Sequence, residues 1–159
     1  MQRNPVTPKG YEALVCDLNH HKSTLRPQVV KDIEVARAHG DLSENAEYDG
    51  AKEEQSLIEG RIAFLEQMVG AAEIIDVRKL TPSDRVVFGT TVHLEHVETG
   101  EERTWTIVGE TESDVEGGLI SFKTPVARAM IGRSVGDEIT VPAPAGAQAW
   151  EISGVEYGT

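Results

Sequence analysis

Several residue types and motifs that would reveal a function are scarce or missing from this chain. It has one cysteine, Cys16, among 159 residues. No disulfide framework can form within the chain, which fits a reducing compartment. Cys16 falls among helix-type residues, and a packed or half-exposed thiol accounts for it. No apolar run is long enough to span a bilayer, and no signal-type stretch follows Met1. The expectation is a cytoplasmic protein with no membrane partner. Basic residues are scarce too: 15 Lys and Arg stand against 27 Asp and Glu, a net charge of −12. The deficit is spread along the chain, with 8 basic and 13 acidic residues up to Ile75 and 7 and 14 beyond it. An acidic body repels phosphate backbones, so independent nucleic-acid binding is not expected of either half. There is no glycine-rich phosphate loop, no paired CxxC, no HExxH and no GxSxG, so the usual enzyme signatures are missing.

The patterns that are present divide the chain in two. Thr7 and Pro8 make a helix start, a capping hydroxyl followed by proline at the first helical position. Leu14, Leu18, Leu25, Val29, Ile33 and Ala36 then recur at helical spacing, with Pro27 expected to kink or break the rod. Gly40 ends this segment. A second helix carries Tyr48, Ala51, Gln55, Ile58, Ile62, Leu65, Val69 and Ala72 at alternating spacings of three and four, a heptad seam. A seam this narrow suits one partner helix, and the first helix is at hand. Residues 1–76 therefore read as an antiparallel helical hairpin, an arm of roughly 45 Å, with a tip at residues 40–47. From Asp76 the runs become short, β-branched and alternating: RVVFGTTVHLEHV, RTWTIVGE, GLISF, DEITV and AWEISGVEY, separated by turn signals. A short helix is predicted at 125–131, with Thr124 as N-cap, Pro125 at the first position and Gly132 at the end. The fold class is α+β in two domains, with a linker at 77–83 and a mostly antiparallel, β-rich domain over 84–159.

The tip, GDLSENAEY, is where chemistry is to be sought. Asp41 and Glu44 stand three apart and make a capping box, with Ser43 a competing N-cap. From spacing alone, capping is the commoner explanation. The alternative is a partial metal site, since magnesium commonly takes only one or two protein carboxylates and fills its shell from water and phosphate. Such a pair would hold the ion weakly alone, and would make sense if delivered into a pocket that already contains metal and phosphate. His39 at the helix end is read as bonding to the final carbonyls. His20 and His21 point to different sides of a helix, and His93 and His96 to opposite faces of a strand. Arg37 and Lys52 flank the tip and read as solvated charge, although near an acidic tip they could steady a phosphate. Glu47 reads as a charge near a helix start.

The stretch ARAHGDLSENAEYDGAKEEQSLIEGRIAFLEQMVGAAEIID resembles the bacterial transcript-cleavage elongation factors, the Gre family. So do PVTPKGYEAL, TPVARAMIGRSVGDEITV and the closing WEISGVEY, so that the resemblance covers essentially the whole chain. It implies a coiled coil followed by a globular domain similar to FK506-binding proteins. It also implies RNA polymerase as partner, gripped by the globular domain at the rim of its secondary channel while the coil passes down it. Asp41 and Glu44 would then share a magnesium ion with the polymerase active site, with none bound stably alone. The polymerase itself would hydrolyse the backtracked RNA 3′ end. Ser43 becomes a supporting tip residue, Arg37 and Lys52 become RNA-proximal, and Lys123, Thr124, Pro125 and Arg128 become polymerase-binding. The acid-rich second helix resembles the GreA subtype, while VVFGTTV and PAGAQAWEISGVEY look more like GreB. Asp49, Gly50 and Lys123 depart from the commonest family pattern. Two other readings stand beside this one. One is a secondary-channel regulator that inhibits polymerase without stimulating cleavage. The other is a prolyl isomerase, which would need Phe88, Trp105, Phe122, Trp150 and Tyr157 to line a pocket when most of them read as core.

Overall fold

The computed structural model describes residues 3–40 and 46–158. The chain forms two compact units, one over Tyr11–Ala72 and one formed by Arg3–Gly10 with Glu73–Thr159. Each is built on its own core.

In the helical unit, α1 (Pro8–His20) and α2 (Arg26–Ala38) are separated by a π-helical turn, His21–Leu25. Pro27 explains the turn. Proline cannot donate to the carbonyl four residues back and its ring crowds that carbonyl. A one-residue widening absorbs the conflict, and the Arg26 N–H donates to the His21 carbonyl instead. The rod is thus locally rewound, as Pro27 predicts, and continues. Helix α3 (Ala46–Ala71) runs for 26 residues, about 40 Å at 1.5 Å per residue. The predicted seam is its buried stripe: Ala51, Ile58, Ile62 and Leu65 are buried, while Tyr48, Gln55 and Val69 are half-buried. Val29 of α2 packs with Ile58 and Ile62, and Leu18 and Leu25 close over them. The flanks carry cross-helix ion pairs. Arg26 donates twice to Glu59, at 2.8 and 2.7 Å; Arg61 donates to Asp17 at 2.9 Å, and Lys22 lies 3.5 Å from Glu66. The Arg26 bonds hold the Glu59 carboxyl below its ordinary value. These pairs are exposed and contribute little to stability singly, but each is satisfied in one register of the hairpin.

The globular unit contains a five-stranded sheet in the order β5-β4-β3-β7-β6. Its strands are β3 (Thr91–His96), β4 (Glu102–Val108), β5 (Leu119–Ser121), β6 (Glu138–Val141) and β7 (Gln148–Glu156). All pairings are antiparallel except β4 with β5, which is parallel. Alternation puts Val92, Leu94, Ile107, Ile139, Trp150 and Ile152 in the core. Helix α4 (Pro125–Met130) covers them with Ala127 and Met130, both fully buried. Its start is as predicted: the Thr124 hydroxyl accepts the Ala127 N–H at 3.3 Å, and Pro125 opens the helix. Trp150 is buried, and Phe88, Trp105 and Phe122 pack against the same core, so these aromatics serve packing.

Three features differ from the sequence reading. The run from Arg85 becomes regular strand only at Thr91, because Gly89 turns with φ +90° and the Thr90 hydroxyl bonds back to the Val87 carbonyl. A two-stranded ladder, β1 (Asn4–Val6) with β2 (Ala72–Ile74), joins segments nearly seventy residues apart. Ala72, placed on the helical seam by its spacing, therefore opens a strand. The stretch expected as a bare linker contains a 3-10 turn, Val77–Lys79. Asp76 caps it by accepting the Arg78 N–H at 3.1 Å, and Val77 is buried.

Candidate functional site

The arm's far end is defined by what stops one helix and starts the next. Helix α2 closes at His39, whose N–H bonds to the Ala36 carbonyl at 3.2 Å, and the Gly40 N–H bonds to the Arg37 carbonyl at 3.2 Å. Gly40 has φ +105°, a conformation glycine reaches without a Cβ clash. Helix α3 begins with Glu47 and Asp49 in its first turn, where the unpaired N–H groups favour negative charge. Asp41, Ser43 and Glu44, the core of the sequence-level site, lie outside the described residues, as does the capping box assigned to them.

The flanking residues are described. Arg37 lies in the last turn of α2; Lys52 lies on α3, where its Nζ donates to Gln55 at 3.3 Å. Both side chains are exposed. His39 departs from its expected role. Its side chain does not turn back to the last carbonyls of α2. Its Nδ1 lies 3.1 Å from Glu47 Oε2, so it bridges to the start of α3. The reason is distance: a ring at the C-cap meets the facing first turn when the two helix ends stand side by side. Among the described residues no three His, Cys, Asp or Glu side chains group to hold a metal ion. Gly50 lies on the open face of α3, where a Cβ would meet nothing within 4 Å, so it answers to no packing demand.

On the globular unit, the four residues assigned to partner binding surround the start of α4. Thr124 also donates its hydroxyl to the Ser121 carbonyl at 2.8 Å, so it and Pro125 shape the helix start. Arg128 is exposed on the same short helix. Lys123 donates to Glu110 at 3.2 Å and lies 5.9 Å over the Phe122 ring. Glu110 was not singled out by sequence; thirteen residues separate it from Lys123, and only the sheet brings them together. Three of the other histidines make contacts within the fold. His21 bonds to Asp17, His93 spans Thr104 and Glu156, and His96 packs edge-on against Trp150.

Comparison with known proteins finds a family model for each half of the chain. A family model described as "Transcription elongation factor, N-terminal" matches residues 4–74, and one described as "Transcription elongation factor, GreA/GreB, C-term" matches residues 81–157. The chain belongs to the GreA/GreB family of transcription elongation factors. Among the relatives of this Gre factor, GreA of Anaeromyxobacter sp. (strain K) is 54% identical over 99% of this chain and 94% of its own. GreA of Chelativorans sp. (strain BNC1) is 52% identical over 99% of this chain and 100% of its own. The solved structure of a GreA/GreB factor from Nitrosomonas europaea has 24% identity and a TM-score of 0.45, over 98% of this chain and 100% of that one. Full-length identity of about half to proteins named GreA makes this a GreA-type Gre factor, as its acid-rich second helix suggests. No helix among the described residues is long and apolar enough to cross a membrane.

Proposed function

We propose that this Gre factor binds RNA polymerase and stimulates the polymerase's own hydrolysis of backtracked RNA, rescuing arrested complexes. In this reading the globular unit docks through the segment Lys123–Arg128, and the helical arm enters the secondary channel. Asp41 and Glu44 are carried at the end of the arm. The observation that carries the reading is that α2 and α3, two helices packed along a single heptad seam, are consecutive in the chain and that the GDLSENAEY motif is the sequence between and into them.

The donor chemistry fits magnesium. Two carboxylates provide hard oxygen ligands, and the ion ordinarily takes one or two of these. Two carboxylates alone leave most of the ion's coordination shell to other ligands, so Asp41 and Glu44 would hold it in company with polymerase ligands. When bound, the ion would supply Lewis-acid polarisation and an acidified water. This chain's part is to bring two acids to the reacting phosphate, orient them there, and neutralise RNA charge with Arg37 and Lys52. It is a cofactor of the polymerase's reaction, and not an enzyme alone, because two carboxylates are too few for a complete active centre.

The test is a stalled, backtracked polymerase complex with and without the protein. Short 3′ RNA products are expected with the parent, with a loss of at least tenfold in cleavage rate for Asp41→Ala with Glu44→Ala. Equal cleavage by parent and double variant would remove these acids from the reaction. Slowed elongation with no RNA released by the parent would instead identify a channel-occupying inhibitor.

A further inference from the structure

The His39–Glu47 contact has a consequence for the tip, one that rests on the cleavage-stimulating function proposed for this chain. His39 is the C-cap of α2, and Glu47 lies in the first turn of α3. Their side chains meet at 3.1 Å across the hairpin. The pair thus joins the end of one helix to the start of the next, on either side of the tip. The helix ends favour it as well: a histidine donor suits the electron-rich C-terminus of α2, and a carboxylate suits the N-terminus of α3. The seam thins toward this end of the arm. Its last large buried residues, Val29 and Ile58, lie well back, and beyond them it continues with buried Ala36 and Ala51 and half-buried Ile33 and Tyr48. Alanines bury little area, so an ion pair between the helix ends adds to the restraint there.

We infer that His39 and Glu47 form a clasp that fixes the separation of the two helix ends, and that Asp41 and Glu44 depend on that separation when they act. Neither is a catalytic residue; both act through the separation of the helix ends. Positioning matters because displacements of about 1 Å at a reacting group can cost on the order of a hundredfold in rate. The clasp itself is solvent-exposed, so losing it should shift an opening equilibrium by only about two- to fivefold.

The experiment uses the full chain with His39→Ala, Glu47→Ala and the conservative Glu47→Gln, whose amide oxygen still accepts the histidine N–H. In the free protein, amide hydrogen exchange is followed at Gly50–Glu53, the first bonded turn of α3. Both alanine variants are expected to exchange about two- to fivefold faster than the parent, and Glu47→Gln close to it. In backtracked polymerase complexes, the maximal cleavage rate at saturating protein should fall severalfold for the alanine variants. The concentration giving half-maximal stimulation should stay fixed, and Glu47→Gln should recover most of the rate. Unchanged exchange in both alanine variants overturns the clasp, whatever the polymerase does. Faster exchange with an unchanged maximal rate overturns the positioning role. If the parent itself stimulates no cleavage, the proposed function fails and takes the positioning role with it, while the exchange result still decides the clasp.

Discussion

Gly10→Ala should destabilise the globular unit, although alanine is the better helix former. Gly10 is the third residue of α1, where the substitution would ordinarily gain about 0.5–1 kcal/mol. A Cβ there would fall on the Glu112 carboxyl, far inside van der Waals contact. That carboxyl is the end of a flexible side chain, but it is not free to swing away. It accepts the Thr7 N–H at 3.0 Å, the Thr7 hydroxyl and the Gly109 N–H at 2.8 Å. Hydrogen bonds to a charged group are each worth about 1.5–3 kcal/mol when buried. These are half-buried and water can replace part of each, so losing all three should cost about 2–4 kcal/mol. Glu112→Ala should show that full cost. Gly10→Ala displaces the same carboxyl and recovers some helix propensity, so its net cost should be about 1–3 kcal/mol. In the Glu112→Ala background the space is vacant, and Gly10→Ala should turn stabilising by about 0.5–1 kcal/mol. The sign reversal implies a coupling of about 1.5–4 kcal/mol in a double-mutant cycle. Urea unfolding followed by tryptophan fluorescence reads this unit selectively, because Trp105 and Trp150 both belong to it. A Gly10→Ala effect of the same sign and size in both backgrounds would refute the reasoning.

Pro27→Ala should gain less than about 1 kcal/mol in thermal melts, because the π-turn has already absorbed the roughly 3 kcal/mol conflict of an interior proline; a gain near the full value would mean that strain persists. Leu65→Ala, at a fully buried seam position, should cost about 2–5 kcal/mol, visible as a lower melting temperature in far-UV circular dichroism. Glu59→Gln should destabilise the arm at neutral pH and lose its effect in acid. Arg26 holds the Glu59 carboxyl below its ordinary value of 4.5 in the folded state, so the stabilisation is present above that value and disappears as pH falls through the lowered one. A parent-to-variant difference in melting temperature that does not shrink as the pH is lowered through the acid range would contradict this.

The two halves were legible because their physics is local. A heptad seam from Tyr48 to Val69 and alternating β-branched runs after Asp76 each dictate a period, and the period dictates which face is buried. The caps at Thr7 and Thr124 were legible for the same reason, since a hydroxyl and a following proline act within one turn. The motif GDLSENAEY also stood out in the chain itself, through its acids and its place between two helical patterns. Other features depended on neighbours distant in sequence. The β1–β2 ladder pairs three-residue segments, too short to carry a period and nearly seventy residues apart. Glu112 reads as one acid in an acidic stretch until β1 and the start of α1 bring Thr7 and Gly10 against it. His39 looked like a histidine bonding to its own helix end until the hairpin set Glu47 beside it. By itself the sequence determined the helical and strand periods, the helix starts and the acids of the tip, because each is written within a few turns of chain. Only the tertiary structure decided which side chains meet across the hairpin and the sheet, because those meetings depend on how the elements close on one another.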